Sequence, residues 1–431
     1  MKKKVAICTL GCKVNQYDSE AMTELLVQSG FELTDFENPA DIYIINTCTV
    51  TNVADKKSRQ MIKRAKRKNG DALICVCGCL AQRASEELLA QEEIDLVIGN
   101  QQRGQIVSYI EEALEQQKKL NKVKPILGQR VFEELQISKT GEKTRGYVKI
   151  CEGCNNFCTY CIIPYARGPV RSRSLQSIVD EAKRLAGNGV KELVFTGIHI
   201  ASYGIDLPEN IGLLEVIAAV HQVEGIERIR LGSLEPGILQ QDFIAQIASM
   251  EKLCDHFHIS LQSGCDSVLE RMGRRYTTSQ YAQIVSTLRQ YFAHPAITTD
   301  IMTGFPGETE QDFETTLAFA QQIGFAHLHV FPYSEREGTK AATMEGSVPV
   351  YERKARAERL IALGRQMERK YLESMVGTRQ QVLLEEPAED GFFTGYTKNY
   401  CKVKAKGGHN SLKNVIINRL EDGVLIGETE E

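Results

Sequence analysis

Cys154-Asn155-Asn156-Phe157-Cys158-Thr159-Tyr160-Cys161 places three thiols at gaps of three and two residues, in a loop after the strand-like run 146–150. So short a loop can bring three thiolates onto one metal centre. A structural zinc ion would want a fourth protein ligand, and Cys151 is the one at hand. A four-iron cluster on three cysteines instead keeps one iron open for an outside ligand. This stretch alone leaves both readings open.

The 431 residues around it suffice for two or three domains, each with its own core. Apolar runs are strand-sized and the opening residues lack the long hydrophobic region of a signal peptide, so the expectation is a soluble, cytoplasmic protein with no membrane segment. Thirteen cysteines, an odd number, argue in a reducing compartment for metal or redox chemistry over a disulfide framework. The net charge of -4 decides little, but charge is segregated: residues 56–68 hold eight Lys or Arg and no acid, and residues 398–419 six and none.

Upstream of the loop, residues 1–117 alternate strand-like runs (5–8, 42–45, 73–76, 96–98) with helical stretches (17–29, 56–68, 84–91, 106–114). That alternation predicts a three-layer α/β domain with a parallel sheet, whose working edge lies at the carboxyl ends of the strands. Cys12, Cys48 and Cys79 each follow a separate strand there and can converge as a second trio. Cys75 and Cys77 alternate with Cys79, and Cys8 lies on the first strand, so another trio is conceivable; the core is the expected place for all three. Residues 118–144 are polar, Lys-rich and aperiodic, and read as a linker.

Residues 145–375 repeat strand and helix six times, with strands near 146–150, 192–195, 228–231, 256–261, 297–302 and 327–331, then a long basic helix at 349–374. This predicts a partial (βα)6 barrel with its site where strands end and helices begin. Residues 376–431 break into short runs between turns, which suggests a small antiparallel β-barrel. Lys398, Lys402, Lys404, Lys406 and Lys413, with Tyr396 and Tyr400 among them, are the combination that phosphate contact plus base stacking requires.

Cys154 to Cys161 resembles the CxxxCxxC signature of the radical S-adenosylmethionine (SAM) enzymes, with an aromatic residue, Tyr160, before the last cysteine. Together with the separated cysteines upstream and the terminal barrel, which resembles a TRAM domain, the whole chain is similar to the methylthiotransferases. Leu10-Gly-Cys-Lys-Val-Asn15, Asn46-Thr-Cys-Thr-Val-Thr51, CNNFCTYCIIPYAR from Cys154 to Arg167, and Phe331-Pro-Tyr-Ser-Glu-Arg-Glu-Gly-Thr339 resemble the branch acting on N6-threonylcarbamoyladenosine in tRNA.

The resemblance implies two 4Fe-4S clusters and SAM. Cys154, Cys158 and Cys161 would hold the cluster that binds SAM and cleaves it to a 5′-deoxyadenosyl radical; Cys12, Cys48 and Cys79 would hold the sulfur-handling one. The reaction implied is replacement of the C2 hydrogen of the adenine by a methylthio group, on the anticodon stem-loop of a tRNA. The electron would come from a donor such as flavodoxin or ferredoxin; DNA is not an expected partner. The rivals are an enzyme of the same architecture acting on isopentenyladenosine or a ribosomal protein, and a non-enzymatic iron-sulfur or zinc protein that binds RNA.

Thr196 and Gly197, Ser233 and Glu235, and Gln262 follow successive strands, where SAM is expected to lie; for Gly197 a tight turn is the competing reason. Gly304-Phe-Pro-Gly-Glu-Thr309 reads as a family signature or as a strand-to-helix turn capped by Thr309. Arg167, Arg171, Arg173 and Arg336 are expected to meet phosphate or the threonylcarbamoyl carboxylate. His199, His221, His256, His258, His327 and His329 show no ligand spacing and are expected in the core or on the surface.

Overall fold

The computed structural model describes residues 2–138, 144–209 and 211–430. The first part is a six-stranded parallel sheet of β1 (Lys4–Thr9), β2 (Glu32–Leu33), β3 (Ile42–Thr47), β4 (Leu73–Gly78), β5 (Leu96–Val97) and β6 (Leu120–Asn121), in the order β2-β1-β3-β4-β5-β6. Because side chains alternate across a strand, each central strand serves two cores. Ile42, Ile44, Cys75 and Cys77 pack with Met22 and Leu26 of helix Lys13–Gln28 and with Ile106 and Ile110 of helix Ile106–Gln116. Tyr43, Ile45, Ile74 and Val76 pack with Ile62 and Ala65 of helix Asn52–Lys68. Cys75 and Cys77 are therefore core residues, and Cys8 is half-buried.

The supposed linker is packed rather than free. Leu120–Asn121 forms the sixth strand, and Ile126, Phe132, Leu135 and Ile137 are buried. Leu135 and Ile137 join the central core, and the Leu135 carbonyl accepts from the Tyr17 hydroxyl at 2.6 Å. Four scattered apolar residues without a period anchor the segment, which otherwise stays largely exposed. Residues 139–143 of that stretch lie outside the described residues.

Next come β7 (Arg145–Glu152), β8 (Arg171–Ser172), β9 (Glu192–Gly197), β10 (Arg228–Leu231), β11 (His256–His258), β12 (Ala296–Thr303) and β13 (His327–Pro332). They form two sheets, β10-β9-β7-β8 and β11-β12-β13, joined by parallel bridges at Ile229–Leu253 and Leu234–Ile259, while a third, Gln262–Ile301, prolongs the pairing of the β11 segment with β12. The six long-range parallel strands are the predicted units; β8, antiparallel to β7, is additional. Val148, Ile150, Phe195, Ile229, Phe257, Ile259 and Ile301 fill the interior. Each apolar side chain of this size contributes roughly 1.5–3 kcal/mol by leaving water. Helix Val350–Glu373 closes the last strand.

The chain ends in a closed barrel of β14 (Arg379–Pro387), β15 (Phe392–Thr397), β16 (Lys402–Lys406), β17 (Ser411–Glu421) and β18 (Val424–Thr429). Its pairings are antiparallel as expected, except for a parallel seam between β16 and β18. It is fastened to the start of the larger barrel: Arg228 donates to the carbonyls of Tyr396 (2.8 Å) and Gln381 (2.5 Å), and Arg230 to that of Lys398 (2.9 Å). Among the described residues, no helix is long and apolar enough to cross a membrane.

Candidate active site

The first cysteine trio lies between the carboxyl end of β7 and the short helix Ile163–Arg167. Backbone bonds shape the loop: Cys154 N–H donates to the Gly168 carbonyl (3.0 Å), Cys161 N–H to that of Cys158 (2.9 Å), and Thr159 N–H to that of Met272 (3.0 Å). Burial pushes the Cys154 thiol up to about 11 and the Cys161 thiol to about 12. Such thiols keep their protons at neutral pH unless a metal displaces them.

Cys151 is fully buried on β7, behind the loop, with its sulfur 3.5 Å from the His199 carbonyl. Among the described residues, no three His, Cys, Asp or Glu side chains are gathered so as to hold a single ion. Three thiols from one loop fit a 4Fe-4S cluster, in which each thiolate takes its own iron.

Beside this loop stands a polar group built from four elements. Glu235, after β10, accepts from Asn156 Nδ2 at 2.6 Å and lies 2.5 Å from His199 Nε2. Its other oxygen pairs with Arg274 Nη2 at 3.3 Å. Arg274 Nη1 donates to the Cys158 sulfur at 3.2 Å, and its Nε donates to Tyr276 Oη at 3.0 Å. Burial alone would raise the Glu235 carboxyl, but the His199 bond, the Arg274 charge and the Asn156 bond together hold it at about 2. The result is an anionic carboxylate and a guanidinium side by side at the cluster loop, a pairing that suits a zwitterionic amino-acid headgroup or ribose hydroxyls.

The second trio lies where β1, β3 and β4, neighbours in the sheet, end. Cys12 precedes helix Lys13–Gln28, Cys48 follows β3, and Cys79 opens helix Cys79–Arg83. Gly11 has φ 101°, and a Cβ there would stand 2.8 Å from Cys48 Cβ, so the first two loops touch through the missing side chain. Asn15 ties them further, donating to the carbonyls of Leu10 (2.6 Å) and Thr47 (2.9 Å). Burial pushes the Cys48 thiol up to about 11, with Cys79 and Cys12 adding to the rise. Three thiols from three converging loops are again a donor set for a cluster.

Several expected contacts fall elsewhere. Arg167 is fully buried, with Nε 3.2 Å from the Cys79 sulfur and Nη1 2.7 Å from Glu152. Arg171 donates to the Arg167 and Pro169 carbonyls; Arg173 pairs with Glu181 and with Glu134 (3.2 Å). Arg336 binds Asp55 (2.6 Å) and Thr49 (2.8 Å), beside a 710 Å³ cleft that Arg59 and Arg83 also line. All four arginines are bonded inside the fold: Arg167, Arg173 and Arg336 meet carboxylates, and Arg171 turns back on two nearby carbonyls.

Gly197 is required by packing, since a Cβ there would lie 2.6 Å from the Cys151 sulfur. Thr196 is buried and Ser233 exposed, while Gln262 takes φ 71° and exchanges backbone bonds with β12. The Tyr160 ring lies edge-on to Phe305 at 6.4 Å. His199 and Arg274 were missed; His199 follows Thr196-Gly197 at a strand end, which was the available signal.

On the terminal barrel, Tyr396 and Tyr400 stack on each other at 4.7 Å, with Arg145 4.8 Å over the first and Arg230 4.5 Å over the second. Their faces serve the junction between the two barrels. Lys402, Lys404 and Lys406 alternate with the buried Val403 and Ala405 and so share the outer face of β16.

The model of the uncharacterized protein family UPF0004 matches residues 4–99, and that of the radical SAM superfamily residues 148–320. The chain is 42% identical, over 96% of its length and 92% of the relative's, to a protein of Bacillus subtilis named threonylcarbamoyladenosine tRNA methylthiotransferase MtaB. It is 36% identical, over 92% and 90%, to a Pelotomaculum thermopropionicum protein named tRNA-2-methylthio-N(6)-dimethylallyladenosine synthase. The solved structure of the radical S-adenosylmethionine methyltransferase TsrM from Kitasatospora setae superposes with a TM-score of 0.58 at 16% identity, covering 79% of this chain and 77% of that one. The last likeness speaks for the fold.

Proposed function

This chain belongs to the radical SAM methylthiotransferases, and from that premise we infer that it attaches a methylthio group to C2 of N6-threonylcarbamoyladenosine next to the anticodon of tRNA. The cofactors are SAM and 4Fe-4S clusters. When bound, they supply the one-electron chemistry that replaces an aromatic C2–H, a hydrogen no protein acid or base removes readily.

The observation that carries the reading is the paired construction: a cysteine trio beyond β7 and another beyond β1, β3 and β4, each with an arginine donating to one of its sulfurs, Arg274 to Cys158 and Arg167 to Cys79. Two such sites suit a reaction that uses SAM in two ways. Glu235, Arg274 and Asn156 are placed to orient SAM beside the first trio. The outer lysines of β16, with Lys402 and Lys404 foremost, suit contact with RNA phosphates. A one-electron donor of the flavodoxin or ferredoxin class completes the system, and a tRNA substrate places the work in the cytoplasm.

The choice between the two nucleosides that the relatives' names carry rests on charge. The threonylcarbamoyl group bears a carboxylate; the isopentenyl group bears none. Lys13, next to Cys12, lines a 640 Å³ cleft with Gln16 and Tyr147 and makes no hydrogen bond or ion pair with any described residue. Burial and the charges of Arg230 and Arg145 lower its pKa, Glu192 acts in the opposite direction, and its charge is felt at His256 and His329 of the barrel. A substrate carboxylate would relieve the strain on this ammonium, which burial and two neighbouring cations disfavour, and this supports the carboxylate-bearing substrate.

Mass spectrometry of tRNA nucleosides from a deletion strain is the test. The 2-methylthio form of N6-threonylcarbamoyladenosine is expected to vanish and to return on complementation. Its persistence in a strain with no enzyme of overlapping activity, or loss of the isopentenyl product instead, sinks the reading.

A further inference from the structure

The same side chain that ends the first cysteine segment reaches into the second. Arg167 closes the helix after Cys161, and the Cys154 N–H is bonded to the next residue, Gly168. From there its guanidinium crosses to the amino-terminal sheet. Nε donates to the Cys79 sulfur at 3.2 Å, and Nη2 donates to Asn15 Oδ1. Asn15 in turn holds the backbone of Leu10 and Thr47, just ahead of Cys12 and Cys48. One arginine therefore touches one ligand loop directly and the other two through a single asparagine.

The charge is compensated locally. Arg167 Nη1 meets Glu152 at 2.7 Å and Asp18 at 3.3 Å, and Arg103 and Lys149 bind the same two carboxylates. Asn100 runs parallel to it, donating to the Ala166 carbonyl at 2.8 Å and approaching the Cys79 sulfur at 3.6 Å. Glu133 also pairs with Arg103 at 3.1 Å, so three carboxylates face the three cations and what Arg167 offers the sulfur is a directed, charge-assisted hydrogen bond. Hydrogen bonds to cluster sulfurs favour the more reduced, more negative state and so raise the reduction potential.

We propose that Arg167 is a positioning residue for the second cluster: it orients the Cys79 thiolate, raises that cluster's reduction potential, and fixes the register between the two cysteine trios. This rests on the assignment of Cys12, Cys48 and Cys79 as cluster ligands.

The test uses the full chain with Cys154, Cys158 and Cys161 changed to Ala, so that only the second cluster assembles, in forms with and without Arg167→Lys. Iron content and a potentiometric titration followed by electron paramagnetic resonance are the readouts. Lysine keeps the charge but loses the Nε donor, so equal iron with a more negative midpoint potential is expected. Equal iron with an unchanged potential overturns the proposal. If Arg167→Lys loses iron, the same substitution is made with Cys12, Cys48 and Cys79 changed to Ala: an intact first cluster there places the effect at Cys79, whereas loss of that cluster too makes Arg167 a fold residue and overturns the assignment. A parent form that holds no iron while Arg167 is present refutes the ligand assignment itself, and the proposal with it.

Discussion

Arg274 donates to the Cys158 sulfur at 3.2 Å while its other terminal nitrogen pairs with Glu235 at 3.3 Å, so one guanidinium joins a thiol of the first trio to the carboxylate beside it. Replacing it with Met removes both contacts at once. A hydrogen bond to a charged group is worth about 1.5–3 kcal/mol, so SAM affinity is expected to fall about ten- to hundredfold. Equilibrium binding of SAM to the reconstituted Arg274→Met protein, with iron counted alongside, checks this; unchanged affinity at full iron would remove Arg274 from the site.

Glu235→Gln addresses the same pocket through pH. The folded carboxyl is held at about 2, below its ordinary value, so the stability it contributes is fully present above about 4.5 and is lost as pH falls through about 2. Between pH 5 and 9 the group stays ionised, and SAM affinity of the native protein should show no titration from it. The Gln form should bind SAM about tenfold more weakly over that whole range. A wild-type affinity that rises between pH 5 and 7 and loses that rise in Glu235→Gln would contradict the assignment.

Lys13→Met leaves the cleft beside Cys12 without its ammonium. If that charge meets the threonylcarbamoyl carboxylate, kcat/KM on tRNA carrying N6-threonylcarbamoyladenosine drops about tenfold or more, the worth of one charge-assisted bond. The comparison that decides is tRNA carrying isopentenyladenosine, on which the substitution should weigh less. An equal loss on both would make Lys13 a general contact.

Simultaneous Ala substitution of Cys12, Cys48 and Cys79 is expected to remove about half of the reconstituted iron, since a cysteine-ligated cluster needs its thiolates. Cys75→Ala and Cys77→Ala are expected to keep the iron and lower stability instead, because both thiols lie in the hydrophobic layer under helices Lys13–Gln28 and Ile106–Gln116. Iron and sulfide analysis with thermal melting separates the two outcomes.

Thr309 caps helix Glu310–Ile323 in a reciprocal box: its hydroxyl accepts from Asp312 N–H at 3.1 Å, and its own N–H donates to the Asp312 carboxylate at 3.0 Å. Thr309→Ala should cost about 1 kcal/mol of stability. A lowered urea midpoint with unchanged SAM affinity would identify the Gly304–Thr309 run as turn chemistry at that position.

Much of this architecture was legible because its chemistry sits where local patterns change. Cys12, Cys48, Cys79 and the Cys154–Cys161 loop all follow strands, and strands announce themselves through alternation and apolar runs. What stayed hidden was set by contacts distant in the chain. Arg274 lies 116 residues from Cys158, and Arg167 88 from Cys79, so no spacing connects them. Arg173 and Arg336 read as free cations because their carboxylates come from other elements, whereas Arg171 turns back on the carbonyls of Arg167 and Pro169, a fold-back that no side-chain pattern reports. Tyr396 and Tyr400 looked available for bases, yet a cation reaches each of them from the neighbouring barrel. Binary patterning reports which face is buried, not which charge waits there.

The clasp formed by Arg228 and Arg230 sits at the starting end of the larger barrel, whereas Cys154 lies beyond its finishing end. The eight residues of β7 separate those ends by about 25 Å at the usual rise per residue. If RNA is held on β16, as proposed, and modified at the cysteine loop, it spans a distance of that order. A lone nucleoside could fill only one end of it, and the enzyme would select its target by where the base sits along the strand as well as by what the base carries.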